Sequence, residues 1–235
     1  MHDAYFARLS AALKRAGLMH PVLVIDRQRL YANIAAIRGR VTAGKLPLRV
    51  VAKSLPSPSL LGAVMEGMGT RRLMVFSAEM LLQLLPIHPD ADYLMGKPLP
   101  ASEFARVIDK AGADAAGKVQ WLVDTPERLK AYGEVAKARG LNWRASLEID
   151  VGLHRGGFVD PAAVKAEATS AASHGAIIAG LMGYDPHVPK MPSPDGAFAS
   201  GAGLGSGAAV ARAIGLGRGS GCATGAGGGG VARSE

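Results

Sequence analysis

Three short stretches of this sequence put reactive side chains where a strand gives way to a loop. Lys53 follows the apolar run Arg49-Val50-Val51-Ala52 and precedes Ser54-Leu55-Pro56, whose proline turns the chain out of the strand. An amine held there and partly desolvated has a lowered pKa and can form a Schiff base with a carbonyl compound. A solvent-facing lysine that ends a strand fits the position equally well. The segment EIDVGLHRGGF, residues 148–158, closes a strand with two acids and then sets a His-Arg pair among glycines. Its glycines permit a tight loop and close backbone approach, and the fork of Arg155 suits a phenolate, phosphate or carboxylate. An exposed arginine in a plain turn is the alternative. In GLMGYDPH, residues 180–187, His187 can be a general acid or base, an orienting group or a surface histidine.

These residues need a scaffold that brings strand ends together. Apolar runs at 48–52, 73–76, 93–95, 119–123, 145–149 and 177–181 read as strands, and helical patterns at 57–67, 78–85, 101–112, 126–139 and 160–173 separate them. Thr125-Pro126-Glu127 starts a helix with a capping hydroxyl, a first-turn proline and an acid at the positive end of the dipole; Asp160-Pro161 does the same. Strands alternating with helices predict an α/β fold with a parallel sheet and right-handed crossovers. No glycine-rich turn follows the first strand, where a dinucleotide fold needs one. The expected architecture is therefore a TIM-type (β/α) barrel, with its chemistry at the C-terminal ends of the strands. It is incomplete, because about six of eight strands are legible. Before it, residues 3–16 predict an amphipathic helix with Tyr5, Leu9, Ala12 and Leu13 on one face. Residues 22–26 predict a short strand, and 27–38 a helix that turns Leu30, Ile34 and Ile37 to a core.

Composition narrows the function classes. Apolar residues make up 49% of the 235 and charged residues 20%, which suits one large globular domain. The net charge of +8 is scattered, with no basic run and no basic-aromatic alternation, so nucleic acid is not an expected partner. Cys222 is the single cysteine, which leaves no disulfide framework and no thiolate metal cluster. No stretch approaches a membrane span, and the charged N-terminus lacks the apolar core of a signal peptide, so the expected location is cytoplasmic. From residue 196 glycine and alanine dominate. Residues 1–195 thus read as the barrel domain, and 196–235 as a low-complexity, disordered tail. A natural flexible tail and an out-of-frame reading of a GC-rich gene are its two possible origins; the second accounts for a barrel pattern that stops two strands short.

RVVAKS with Lys53, EIDVGLHRGGF with Arg155 and GLMGYDPH with His187 occur here in the order in which similar segments occur in fold-type III pyridoxal 5'-phosphate (PLP) enzymes. The sequence resembles that group, which includes alanine racemase, D-threonine aldolase and D-serine dehydratase. HPVLVIDRQRLYANIAAI is similar to the family's entry into the barrel, and the resemblance covers about residues 18–190. It implies PLP as cofactor and a small amino acid as substrate. It also implies that Lys53 carries the cofactor and shuttles the α-proton, that Arg155 bonds the phenolic oxygen, and that His187, with Tyr184, lies by the cofactor. GLHRGGF and GLMGYDPH look closer to the aldolase and dehydratase branch, which implies a lyase for β-hydroxy D-amino acids. An amino-acid racemase and a single-domain PLP-homeostasis protein are the alternatives; a racemase of this fold takes a second base, a tyrosine, from a partner's C-terminal domain. That domain also holds the divalent-metal ligands in the lyase branch, so no metal ligand is assigned in this chain. The family commonly forms homodimers. The phosphate loop has only the 225–230 stretch as a counterpart, with no strand expected before it. Residues 22–26, without their usual sheet partners, are expected to be exposed, and a chain of this extent is expected not to turn over substrate.

Overall fold

The computed structural model describes residues 2–55, 57–187 and 223–225. The chain forms two compact units, Met1–Gly44 and Lys45–Glu235.

The first unit holds α1 (His2–Arg15) and α2 (Arg27–Ala43). Asp26 caps α2 by accepting the Arg29 N–H at 3.1 Å, and its other oxygen accepts the Tyr5 hydroxyl at 2.8 Å. The Arg29 guanidinium lies 3.7 Å from the centre of the Tyr5 ring, so one side chain of α1 is fixed from two sides by the start of α2. The Arg29 N–H and the Tyr5 hydroxyl hold the Asp26 carboxyl below its ordinary value. Residues 22–26 are not a strand. The apolar run carries strand propensity, but no neighbouring strand completes its ladder among the described residues, and Leu23 is fully exposed. On α2, Ile34 is buried and Leu30 half-buried, but Ile37 is 52% exposed, so the expected three-residue core face is narrower.

The second unit is one parallel sheet with helices in its crossovers. Its order is β1 (Val50–Val51), α3 (Pro58–Met68), β2 (Arg72–Val75), α4 (Ala78–Leu84), β3 (Asp92–Met95), α5 (Ala101–Ala111), α6 (Asp114–Lys118), β4 (Val119–Val123), α7 (Pro126–Lys137), β5 (Trp143–Ile149), α8 (Pro161–Ser170), β6 (Ala176–Tyr184) and β7 (Ala223–Gly225). Neighbours pair in sequence order from β1 to β7, every pair is parallel, and β1 does not pair with β7. The result is an incomplete TIM-type barrel: the six strands legible in the sequence, in an unclosed sheet, with a short seventh on β6. The expected disordered tail lies outside the described residues apart from Ala223–Gly225, which pairs with β6 through Met182, Gly183 and Tyr184.

The helix starts follow their capping chemistry. Thr125 accepts the Arg128 N–H at 3.2 Å, Asp160 accepts the Ala162 N–H at 2.9 Å, and Ser57 and Ser77 cap α3 and α4. On the helix-covered face Tyr93, Trp121 and Trp143 are fully buried, and Phe104 of α5 and Tyr132 of α7 stack on each other at 4.6 Å between the two tryptophans. Each such side chain contributes about 1.5–3 kcal/mol by leaving water. The opposite face is concave: Arg144 of β5 reaches over β4 to Asp92 of β3, and Arg49 reaches over β2 to the same carboxylate. Alternation along the strands puts its side chains in three tiers that run obliquely to the register, Leu94 being the partner of Gln120. Arg72, Asp92, Gln120 and Arg144 lie at the N-terminal end, and Met74, Leu94 and Leu122 form an apolar middle. Lys53, Phe76, Gly96, Asp124 and Glu148 lie at or beyond the C-terminal ends.

Candidate active site

Every strand of the sheet ends on the same rim, so the sequence motifs meet there by topology. Lys53 sits in the 3-10 turn Ala52–Ser54 straight after β1. Its amine lies 4.1 Å from the centre of the Phe76 ring and has no hydrogen-bond acceptor or acid partner among the described residues. The Lys53 side chain is exposed, not partly desolvated as expected, because beyond Phe76 few groups of the described chain pack on it. Phe76 reaches this place through Gly96: a Cβ on Gly96 would stand 2.5 Å from the Phe76 ring, so the ring occupies the volume a side chain at 96 would take.

Across the rim, residues 150–158 fold back on the end of β5. Phe158 donates its N–H to the Glu148 carbonyl at 2.8 Å, and its own carbonyl accepts the Asp150 N–H at 3.0 Å. Gly157, at φ +96°, makes this return possible; a Cβ there would lie 2.7 Å from the Glu148 carbonyl oxygen. Inside the loop one oxygen of Asp150 accepts the Gly152 and His154 N–H groups at 2.9 and 3.0 Å, and the other meets His154 Nδ1 at 2.7 Å. Burial alone would raise the Asp150 carboxyl, but these donors outweigh it and hold the group below its ordinary value.

The loop delivers Arg155 to Glu148. One Glu148 oxygen accepts from Nε of Arg155 at 3.1 Å and also from Nη2. The guanidinium carbon lies 4.5 Å from the centre of the Tyr184 ring at the end of β6. Burial pushes the Glu148 carboxyl above its ordinary value, against the opposing pull of Arg155. The Arg155 fork is therefore not the free group its glycine-flanked position implied. It is clamped by an acid and an aromatic ring, with Nη1 left without a partner among the described residues. His187 is half-buried beyond β6; its Nδ1 and the Asp185 Oδ1 are buried atoms with no partner among the described residues.

The structure thus brings Arg155 and Tyr184 into contact, places Asp185 and His187 just past them, and sets Lys53 at the β1 end of the same rim. Phe76, with Gly96 behind its ring, flanks Lys53; in the sequence Phe76 reads as the last residue of the 73–76 run, whereas the structure ends β2 at Val75, and Gly96 follows the 93–95 run. A strand does precede the 225–230 stretch, contrary to expectation: Gly225 ends β7, whose pairing uses backbone groups and needs none of the apolar alternation sought in the sequence. Residues 226–230 lie outside the described residues. No helix among the described residues is long and apolar enough to cross a membrane.

The sequence matches the family model for the alanine racemase N-terminal domain over residues 25–200. No curated protein sequence matches it. Among solved structures it is similar to D-threo-3-hydroxyaspartate dehydratase from Delftia sp. HT23, at 20% identity and TM-score 0.67, over 82% of this chain and 51% of that one. It is similar to D-threonine aldolase from Filomicrobium marinum, at 22% identity and TM-score 0.66, over 86% and 54%. It is also similar to alanine racemase from Bacillus anthracis, at 14% identity and TM-score 0.65, over 84% and 51%. The chain spans about half the length of each, and at these identities the likeness is one of fold. The family match takes in most of the chain, so the chain belongs to the alanine racemase N-terminal domain family, the barrel of the fold-type III PLP enzymes.

Proposed function

We propose that this chain is the cofactor-binding barrel of a PLP-dependent lyase that acts on β-hydroxy D-amino acids by retro-aldol cleavage or dehydration. Membership of the family implies PLP. The residues present fit that group: among the described residues the amine of Lys53 is unengaged by any acid, and Asp185 Oδ1 and His187 Nδ1 are buried and unpartnered just past the Arg155–Tyr184 stack. That pair of polar atoms, unpartnered among the described residues and on the rim of Lys53, is the observation that carries the reading, since a buried polar atom without a partner calls for one from water, an ion or a ligand. The choice of a lyase over a racemase rests on the resemblance of GLHRGGF and GLMGYDPH to the aldolase and dehydratase branch.

When bound, PLP supplies an electron sink for cleavage at the substrate's α-carbon. Lys53 would hold it through Nζ, and the same amine would serve as a proton carrier at the substrate's α-carbon. Arg155 is set by Glu148 and Tyr184 to present Nη1 to an anionic oxygen, and a clamped guanidinium loses little freedom in doing so. His187, with Nδ1 unengaged, is the group available to move a proton at the substrate side chain. Phe76 faces one side of the otherwise exposed Lys53 amine, its ring centre 4.1 Å away.

The test is PLP titration of the full chain, borohydride trapping and peptide mapping, followed by incubation with D-threonine, D-serine and D-alanine. The expected result is a single label on Lys53, absent from Lys53→Ala; acetaldehyde or a keto acid formed from the hydroxylated substrates would establish the lyase and overturn the expectation that this chain does not turn over substrate. Label spread over many lysines would sink the assignment of the site. Racemised alanine without cleavage would replace the lyase with a racemase.

A further inference from the structure

The N-terminal end of the barrel interior carries a charged tier that the site at the other rim does not use. Asp92, the first residue of β3, is its hub. One of its oxygens accepts Arg49 Nη2 at 2.5 Å, the other accepts Arg144 Nη1 at 3.1 Å, and Gln120 Nε2 lies 2.9 and 3.0 Å from the two. Ser146 closes the chain by donating to Gln120 Oε1 at 3.1 Å. Arg72 pairs in register with Asp92 and stands on the same face, with an exposed side chain. Two guanidinium groups therefore hold a single carboxylate, and a third, that of Arg72, belongs to the register neighbour of Asp92 on the same face, an excess of two positive charges.

The three arginines are differently placed. Arg49 is 12% exposed and spent: besides Asp92 it donates to the carbonyls of Leu73 and Asp92. Burial lowers its pKa, and Arg72 and Arg144 add to that, so the positive charges bear on one another. Arg144 is 32% exposed and uses only Nη1, while the Arg72 fork has no acceptor among the described residues. Unspent donors from β2 and β5 thus flank Asp92 of β3 at the same end of the sheet, with the 59% exposed Ile177 in register beside Arg144. The tier of Met74, Leu94 and Leu122, at most 8% exposed, separates this mouth from Glu148 and Arg155.

We propose that the N-terminal mouth of the barrel binds a small doubly charged oxyanion, inorganic phosphate or a phosphate monoester, between Arg72 and Arg144. Forked guanidinium groups match a tetrahedral oxyanion's geometry, and two charges on the ligand offset the excess of two. Asp92 and Gln120 position Arg144, and Ile177 offers apolar surface to the organic part of an ester. The site is distinct from any cofactor site at the opposite rim and stands whether or not PLP binds there.

Calorimetric titration of the full chain, without PLP, with inorganic phosphate and then phenyl phosphate tests this at constant ionic strength set by sodium chloride. Saturable binding of one equivalent is expected, weakened at least fivefold by Arg72→Gln, whose side chain no fold contact needs, and by Arg144→Gln. Tighter binding of phenyl phosphate would identify an ester as the ligand, and equal binding inorganic phosphate. Heat that chloride reproduces, or binding unchanged in Arg72→Gln and Arg144→Gln, overturns the proposal. Binding lost in Lys53→Ala but kept in the arginine variants would place the anion at the other rim and also overturn it.

Discussion

Glu148 and Arg155, seven residues apart, are locked together across the turn that ends β5: one oxygen of a carboxylate only 4% exposed takes two donors of the same guanidinium. The acid is costly to keep ionised, since burial pushes its pKa up, yet ionisation is what makes it an anchor. The pair sacrifices some stability at neutral pH to fix the direction of an arginine.

Glu148→Gln separates these two effects. A group whose pKa is raised by folding helps the native state below its unfolded value, about 4.5, and loses that help as pH rises through the folded value. Wild type should therefore lose stability relative to Glu148→Gln over that window, read as urea midpoints across pH 4 to 8. PLP affinity should move the other way at neutral pH, falling about tenfold, or about 1.4 kcal/mol, as Arg155 loses its charged anchor. Parallel pH curves for the two proteins would show that Glu148 does not titrate as its burial demands.

Gly157→Ala tests the return of the loop. The new methyl would lie 2.7 Å from the Glu148 carbonyl oxygen at a φ of +96°, a conformation that costs alanine about 1–3 kcal/mol before any clash. The same change at Gly156, where nothing lies within 4 Å, should stay within about 0.5 kcal/mol. Denaturant midpoints for both variants decide it, and equal losses would mean the loop does not pack as described.

Tyr132→Phe probes the link between α7 and the loop before α5. The Tyr132 hydroxyl donates to the Leu99 carbonyl at 2.7 Å and accepts the Leu99 N–H at 2.9 Å. Burial pushes its pKa to about 12, so it remains a donor throughout the folded range. Arg128 also donates to the Leu99 carbonyl, but nothing replaces the acceptor for the buried N–H. A loss of about 1–3 kcal/mol is expected in chemical denaturation, with faster exchange of the Leu99 amide hydrogen. Unchanged exchange would refute the pairing.

What the sequence hid follows a physical pattern. Strand β4, buried at all five positions, has the same limits when read from its apolar run. Strands with a polar residue at or next to their start are legible only from the apolar run that follows it, so β2, β3 and β5 start one or two residues earlier than 73, 93 and 145 suggest. Arg72, Asp92 and Arg144 look like loop residues because their partners come from other strands of a concave face. Conversely, 22–26 has strand composition and no strand to pair with among the described residues, while Ala223–Gly225 has a strand partner and no strand composition. At the site, Lys53, Arg155 and His187 stand out because charged groups at strand ends have few bland uses together. Phe76 and Gly96 do not, since a phenylalanine after a strand reads as core until its contact with Lys53 is seen.

Asp92→Asn bears on how the unclosed barrel holds its curvature. Burial would raise the Asp92 carboxyl, but Arg49, Gln120 and Arg144 outweigh that and keep it below its ordinary value. A carboxylate depressed by folding stabilises the native state fully above its unfolded value, about 3.8, and stops doing so as pH falls through the folded value. Replacing it with asparagine leaves Arg49, 12% exposed, without a counter-charge, which costs about 3 kcal/mol when a buried pair is broken. The variant should therefore be much less stable than wild type at pH 7, and the gap should narrow below about pH 3.8 as the wild-type carboxylate is protonated. Because the carboxylate joins β1, β3 and β5 across the strands between them, near-ultraviolet circular dichroism should change with stability, as Trp121 and Trp143 lie on those intervening and joined strands. A gap that stays constant with pH would mean that the carboxylate's charge contributes nothing and that packing alone curves the sheet.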